Sequence, residues 1–152
     1  MLNPSKKYSS RRNAIVTALV EKLKDIDGTG DYAVDVGQNV HPRMLFWDEV
    51  TEFPAIHLAA GQEWRERHGG RHVIRHMTVT VRCYVKSEDP AQELEDLLAD
   101  IEFVVEENSR LAYQDRLGGT QMTNEILITS MDTDQGALAP LGVGEILLQV
   151  SY

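Results

Sequence analysis

Residues 54–86 read PAIHLAAGQEWRERHGGRHVIRHMTVTVRCYVK, and this stretch decides the fold. Two runs of alternating apolar and polar residues flank the pair Gly69-Gly70, which predicts a β-hairpin with a two-residue turn. The pairs on the predicted core face are Ile56 with Cys83, Leu58 with Val81, Ala60 with Val79 and Gln62 with Met77. The pairs on the opposite face are His57 with Arg82, Glu63 with His76 and Arg67 with His72. Because both apolar sets fall on one face under a single register, the two strands support the same pairing.

The tip of this hairpin is predicted to extend beyond the core. The core-side alternation ends at Ala60 and Met77, after which the core face carries Trp64 opposite Arg75. About eight residues per strand remain, which at about 3.3 Å per residue would project roughly 25 Å. A hairpin without a packing partner is marginal in water, so this segment (residues 64–75, called the arm) is expected to contact a neighbouring subunit. The predicted interface residues are Trp64, Arg65, Arg67, Arg71 and Arg75.

The arm is locally basic in an acidic chain. The formal net charge is −9 and the pI is near 4.9, a balance that repels phosphate backbones and argues against nucleic acid as a ligand. The favoured partner of the arm is an acidic protein surface, such as the second predicted helix of an adjacent copy. Nucleic acid is the alternative for this one local basic patch.

Two amphipathic helices are predicted. The first runs from about Pro4 to Ile26, with Asn3 as its cap, because apolar residues recur at three- and four-residue steps. The second runs from Pro90 to about Glu107 and has Asp89 as its cap. Its polar face is predicted to be solvated, and it carries Glu93, Glu95, Asp96, Asp100, Glu102 and Glu106.

The other elements complete an α+β pattern. Further strands are predicted from Tyr32 onward, ending at His41-Pro42-Arg43, at Glu125 to Met131 and at Glu145 to Tyr152. Met44 to Phe53 is apolar without a period and is predicted to be an ordered loop packed on the core, and an irregular stretch ends at Gly118-Gly119. A polar turn region at Asp132 to Gly144 joins the last two strands. The predicted fold is a single domain, residues 1–152, with a mostly antiparallel sheet and a long projecting β-hairpin packed against two helices.

Composition excludes several classes of protein. Apolar residues make up 42% and charged residues 26%, which is ordinary for a globular domain of 152 residues. There is no run of about 18 apolar residues and no signal peptide, so we expect synthesis and folding in a cytoplasm and no membrane association. The single cysteine, Cys83, excludes a disulfide framework and is expected to be a small buried hydrophobe.

No set of residues forms a convincing chemical site. His68, His72 and His76 are spaced by four, but on a strand residues four apart lie about 13 Å from each other, too far to share a metal ion. Residues 132–136 resemble the start of a calcium loop, but Ala137 and Val143 occupy positions that require glycine and glutamate. We therefore expect no catalytic residues, no cofactor and no metal.

Two other patterns are equally weak. Gly142-Val143-Gly144 is a fragment of a dinucleotide fingerprint but is predicted to precede a strand, whereas the fingerprint precedes a helix. Asp96 and Asp100 could pair for acid–base chemistry, but both are predicted on the solvated face of the second helix. No serine lies in a nucleophile elbow, so the chain is not expected to be an enzyme.

The order of these features resembles the tail terminator and tail-completion proteins of long-tailed bacteriophages, a group that includes minor tail and head-to-tail joining proteins. The motifs that carry the resemblance are Val40-His41-Pro42-Arg43, Pro54-Ala55-Ile56-His57-Leu58, Gly61-Gln62-Glu63, Ser87-Glu88-Asp89-Pro90, Thr133-Asp134-Gln135-Gly136 and Pro140-Leu141-Gly142. The resemblance implies a structural virion protein of the tail or neck that assembles as a ring, commonly a hexamer. Such a ring would cap the tail tube protein and present a surface to the neck or head-completion protein. The arm would contact another subunit or the tube, and DNA would pass through the ring without specific binding.

Two alternatives stay open from the sequence. Within a phage virion, the chain could form a head-closure or other neck ring. In a different class, it could be a cytosolic small-ligand-binding α+β protein, which would need a closed apolar pocket with convergent polar groups.

Overall fold

A five-stranded sheet and two helices form the framework of the protein. The computed structural model describes residues 10–152. In chain order the elements are α1 (Arg11–Leu23), β1 (Val40–His41), β2 (Ala55–Arg67), β3 (Val73–Lys86), α2 (Pro90–Glu107), β4 (Ala112–Gln114), β5 (Thr120–Met122), β6 (Glu125–Thr133) and β7 (Leu141–Ser151). The strand order of the main sheet is β1-β2-β3-β7-β6, and β4 pairs with β5 in a small second sheet. Since β1 is the only strand of the main sheet that pairs in parallel within the described residues, the predicted α+β fold with a mostly antiparallel sheet is confirmed.

Both helices pack on the same side of the sheet, which we call the helix side. The core there combines the apolar faces of α1 and α2 with alternate residues of β3 and β7. In β7, Ile146, Leu148 and Val150 are fully buried, as the alternation predicts. The opposite side, called the open side, presents half-exposed residues such as Thr78 and Gln149. The sheet therefore has one side for the core and one side for solvent or a partner.

The first helix begins later than its pattern predicts. Ser10 is its N-cap, and the Ser10 hydroxyl oxygen accepts a hydrogen bond from the Asn13 backbone N–H at 3.1 Å. The helix then runs from Arg11 to Leu23. The predicted cap at Asn3 and first turn at Pro4 lie outside the described residues.

The second helix lies where the sequence predicts it. Asp89 caps it by accepting a hydrogen bond from the Gln92 backbone N–H at 3.3 Å, and Pro90 occupies the first turn.

Gly142 and Gly144, two glycines inside β7, allow α2 to pack closely on the sheet. A Cβ at Gly144 would lie 3.0 Å from Leu94 Cδ1, closer than nearly all real contacts of this kind. The two glycines therefore allow close packing of the helix on the sheet. The sequence predicts that they precede the last strand, but they lie within it.

Asp100 is buried, so the prediction of a solvated polar face on α2 is wrong at this position. It is 5% exposed, and its carboxylate accepts hydrogen bonds from the backbone N–H of Ala33 at 3.0 Å and of Val34 at 2.9 Å. Tyr32, in the same loop, packs edge-on against Phe103 of α2 with ring centroids 6.0 Å apart. The loop before β1 thus covers this part of α2, and the Asp100 carboxylate accepts hydrogen bonds from backbone N–H groups of the loop.

Replacing Asp100 with alanine should lower the free energy of unfolding by about 2–3 kcal/mol, because the buried Val34 N–H would lose its acceptor. Urea denaturation followed by circular dichroism measures this loss. Glu95→Ala, an exposed change on the same helix, is the control and should alter stability by no more than about 0.5 kcal/mol. Equal stability of the two variants would contradict the role of Asp100.

The first predicted strand is wrong at its beginning, because residues 32–36 do not form a strand. Backbone N–H groups in this segment bond to Asp100 and to the Ile26 carbonyl oxygen instead of to a strand of the sheet. The alternating valines are nevertheless buried, since the segment lies over the core. The strand itself is β1, which contains only Val40 and His41, so the predicted end at His41 is correct.

The loop at Met44 to Phe53 packs on the sheet only in part. It forms a small cluster with the buried Tyr84, whose hydroxyl donates to the Leu45 carbonyl oxygen at 2.7 Å. Phe46 is 71% exposed and Trp47 51%, so the predicted packing is wrong for these two residues. Because Tyr84 pairs with the start of β2, the aromatic pair lies at the end of the sheet opposite the arm.

The chain after α2 is more regular than its sequence suggests. The stretch predicted to be irregular contains the hairpin of β4 and β5, whose Tyr113 is buried. Three-residue strands give too short a pattern to detect. The last two strands are also longer than predicted, since β6 continues to Thr133 and β7 begins at Leu141. The polar turn between them shortens to residues 134–140.

Candidate assembly surface

The hairpin of β2 and β3 follows the predicted register only in its first half. The pairs from Ala55 with Tyr84 to Ala60 with Val79 are confirmed. A bulge between Ala60 and Glu63 then shifts the register by one residue. Gly61 lies in this bulge, where a Cβ would be 2.5 Å from Thr78 Oγ1. The sequence signals of the two strands could not reveal the inserted residue.

The bulge changes each predicted pair beyond it. Glu63 lies opposite Met77 and not His76, and Arg67 lies opposite Val73 and not His72. Likewise, Gln62 does not pair with Met77, and Trp64 lies opposite His76 instead of Arg75. As a result, Glu63 turns to the helix side and Trp64 to the open side.

The turn at the tip is a three-residue loop instead of the predicted two-residue turn. His68 donates its backbone N–H to the His72 carbonyl oxygen at 2.9 Å, so these two residues close the loop. Gly69 and Gly70 have φ values of +59° and +53°, which glycine adopts without strain. The extra loop residue follows from the bulge, because a shift of one on β2 moves the closing pair by one.

The arm is supported for more of its length than the sequence predicts. Ser151 pairs with His76, and Tyr152 exchanges two backbone hydrogen bonds of 2.8 Å with Arg75. Beyond Arg75, the two strands of the hairpin pair only with each other within residues 10–152. About four residues per strand extend past this point, or roughly 13 Å instead of 25 Å.

The predicted arm residues fall into two sets. Trp64 lies on the open side, where its ring stacks on His76 with centroids 5.3 Å apart and planes 18° from parallel. Arg65 and Arg75 lie opposite each other on the helix side, and Arg67 follows on the same side. Arg71 belongs to the tip loop. The structure therefore gathers three of the four arginines on one side of the arm and places the tryptophan on the other.

His76 has different neighbours from those predicted. Its Nδ1 lies 2.9 Å from Ser151 Oγ, and its Nε2 lies 3.4 Å from a Glu66 oxygen. The same Glu66 carboxylate lies 3.3 Å from His68. The predicted pair with Glu63 is wrong because the bulge moves Glu63 to the other side of the strand.

A hydrogen-bonded cluster fixes the base of the arm. Glu63 accepts hydrogen bonds from the Tyr152 hydroxyl and from Arg65 Nε, the latter at 3.0 Å, and it forms an ion pair with Arg65. Burial would raise the pKa of Glu63, but these hydrogen bonds outweigh it and the pKa lies below its usual value. Burial and the neighbouring Glu63 raise the pKa of Tyr152, which therefore stays a hydrogen-bond donor. Arg11 of α1 stacks on the Tyr152 ring at 5.1 Å and donates to Tyr113.

The outer part of the arm, with Arg67 and Arg71, and the exposed face of α2 carry opposite charges without ion pairs among the described residues, whereas Arg75 at the base helps to lower the pKa of Glu63. Within residues 10–152, Arg67, Arg71 and Arg75 make no ion pair, and no ion pair involves a carboxylate of α2. This helix contains no lysine or arginine. Its acidic residues other than the buried Asp100 are Glu93, Glu95, Asp96, Glu102, Glu106 and Glu107. The two surfaces are complementary in charge.

A groove of about 340 Å³ separates α2 from β6. Glu102 and Glu106 form its helical rim, and residues 126–131 form the other wall. Leu127 and Met131 of β6 are 49% and 39% exposed. The sequence could not predict this groove, since it depends on how α2 crosses the edge of the sheet.

Two other features bear on function. Cys83 is fully buried, and burial raises the pKa of its thiol to about 12, which agrees with the prediction of a buried hydrophobe. Within residues 10–152, no helix has the length and hydropathy needed to cross a membrane.

The comparisons with known proteins define the class: the chain is a phage tail protein and belongs to the bacteriophage tail tube terminator family. The family model described as Bacteriophage Tail Tube Terminator Protein matches residues 9–152. Among individual proteins, the chain is 30% identical over 159 residues to the tail tube terminator protein p142 of Escherichia phage T5, covering 93% of this chain and 92% of that protein. The resemblance drawn from the sequence motifs is confirmed. The chain is a structural component of the virion tail that terminates the tail tube.

Proposed function

We propose that the protein ends the tail tube as a closed ring of identical subunits, most simply a hexamer, and joins the tube to the neck. The arm is the contact surface, through Trp64, Arg65, Arg67, Arg71 and Arg75. Its arginines contact α2 of the next subunit, whereas Trp64 contacts the neighbour on the open side. The observation that carries the proposal is that Arg67 and Arg71 of the arm and the carboxylates of α2 carry opposite charges and form no ion pair within residues 10–152. Different surfaces of one chain that fit each other generate a head-to-tail contact, and such a contact closes into a ring when the rotation permits.

The charge of the protein suits a ring through which DNA moves. With a net charge of −9, the body repels phosphate groups, and the arm cations are used in subunit contacts. DNA then passes through the ring without specific binding. The proposed function involves no catalysis. It requires only that the single domain, residues 1–152, assemble with other copies.

The tail tube and the neck protein would bind the ring along its axis, at the two ends of the sheet. Association with the tail tube follows from the family, and a neck protein is the second partner. The exposed pair Phe46 and Trp47 lies at the end opposite the arm, and aromatic residues are enriched in protein interfaces. This pair supports an axial contact distinct from the contact between subunits.

Native mass spectrometry and electron microscopy test the proposal. The purified protein should give a single defined oligomer, either alone or after addition of polymerised tail tube protein, and rings should appear at tube ends. The subunit number follows directly from the mass. A protein that remains monomeric and leaves tubes unaltered would contradict the proposed function.

A further inference from the structure

The main sheet has an open edge on each side, and we propose that these edges pair with each other between neighbouring subunits. The outer edge of β6 in one subunit would bond to the outer edge of β2 in the next, so that the sheet continues around the ring. This inference rests on the proposed ring and specifies how its subunits join.

The edges are open along most of their length. On one side, β1 pairs only with Ile56 and His57, so residues 58–67 of β2 have no strand on their outer side within the described chain. On the other side, the nine-residue β6 ends the sheet formed by residues 10–152. Open edges present unpaired backbone N–H and C=O groups, which are templates for another strand.

The hydrogen bonds of β3 show which groups of β2 are free. Arg75 exchanges both of its backbone bonds with Tyr152, so its N–H and C=O point toward the last strand and not toward β2. The pair of Arg65 with Arg75 is therefore not hydrogen-bonded, and the backbone groups of Arg65 point outward. By the same alternation, the backbone groups of Glu63 and Arg67 also point outward.

The free groups of β6 follow from its pairing with β7. Asp134 donates its backbone N–H to the Val143 carbonyl oxygen at 3.0 Å, which places Asp134 on the bonded side of the ladder. Successive residues of an antiparallel strand alternate between bonded and outward positions. Asp132 therefore faces β7, while the N–H groups of Met131 and Thr133 point outward. The Thr133 N–H donates to Asp132 Oδ1 at 2.9 Å, so the free N–H is that of Met131.

The directions of the two edges are compatible. The strands β2, β3, β7 and β6 lie side by side, and each is antiparallel to the next. The first and the last of these four, β2 and β6, therefore run in opposite directions. A rotation about an axis along the strands preserves their directions. In a ring of this kind, β6 would lie antiparallel to the β2 of the next subunit, and the alternation of the sheet would continue.

Side-chain placement favours this pairing over the pairing of identical edges. Arg65 and Arg67 lie on the helix side of β2. In a sheet that continues from one subunit to the next, the helix sides of all subunits face the same way. The two arginines would then face the groove whose rim is Glu102 and Glu106. Pairing β2 with another β2 would instead bring arginines together, and like charges in contact oppose such a complex.

Met131→Pro tests the inference, since proline removes an outward N–H that the monomer does not use. Proline is tolerated at edge positions whose N–H faces solvent, so the variant should fold while its assembly weakens at least tenfold. Met131→Ala, which keeps the N–H, is the control and should still assemble. Native mass spectrometry over a concentration series measures the assembly of both variants.

Hydrogen exchange on the unaltered protein gives a second measurement that does not depend on a variant folding. The amides of Met131, Glu63, Arg65 and Arg67 should exchange more slowly in the assembled ring than in the monomer. Rings in which these amides exchange as fast as in the monomer would overturn edge pairing while leaving the proposed function intact. Equal assembly of the proline and alanine variants would also overturn it. If the unaltered protein forms no ring, the proposed function fails and the edge pairing falls with it.

Discussion

Deleting residues 147–152 should leave the protein unfolded at room temperature. These residues form the second half of β7, which lies between β3 and β6 and pairs with both. Leu148, Val150 and Tyr152 are buried, and burial of a large apolar side chain contributes about 1.5–3 kcal/mol. Three such losses amount to about 4.5–9 kcal/mol, which with two broken backbone ladders is comparable to the roughly 5–15 kcal/mol that stabilises a typical domain.

Circular dichroism and thermal melting measure this effect. The truncated chain should lose its cooperative transition and most of its strand signal. The control replaces Leu147, Gln149 and Ser151 with alanine, because these residues alternate with the buried ones and lie on the open side of the same strand. This control should remain folded. A truncated protein that melts cooperatively would show that β7 is not needed for the core.

Local patterns predicted the parts of the fold that depend on neighbouring residues. The alternation in β2 and β3 gave the correct pairs as far as Ala60 with Val79, and the sequence after Asp89 gave the correct start of α2. The buried face of β7 was also predicted, since Ile146, Leu148 and Val150 alternate with half-exposed residues. Each of these features is determined within a few residues of the chain.

Features that depend on distant contacts could not be predicted from the sequence. The bulge at Gly61 reflects the close approach of Thr78, and a bulge of one residue reverses the sides of all residues beyond it. In the sequence, Asp100 has the same pattern as the solvated acidic residues of α2. Its burial depends on the loop that contains Val34, which lies far away in the chain. For the candidate surface, the basic composition of the arm was evident, but its sides and its support by Tyr152 were not.

Replacing Arg65, Arg67 and Arg71 together with glutamate should prevent assembly while the subunit remains folded. The change converts the arm from basic to acidic, so it would repel the carboxylates of α2 in the proposed contact. We expect association to weaken at least a hundredfold, or about 2.7 kcal/mol. Sedimentation velocity measures the oligomer, and circular dichroism checks the fold.

Two further variants separate the arm contact from a general effect of charge. Lys22, Lys24 and Arg110 are exposed cations outside the arm, so their replacement with glutamate changes the net charge equally and should leave assembly unaltered. Adding Glu102→Arg and Glu106→Arg to the arm variant reverses both partners and should restore the oligomer. Loss of folding in the arm variant would instead show that these arginines stabilise the monomer, whereas unaltered assembly would exclude them from the subunit contact.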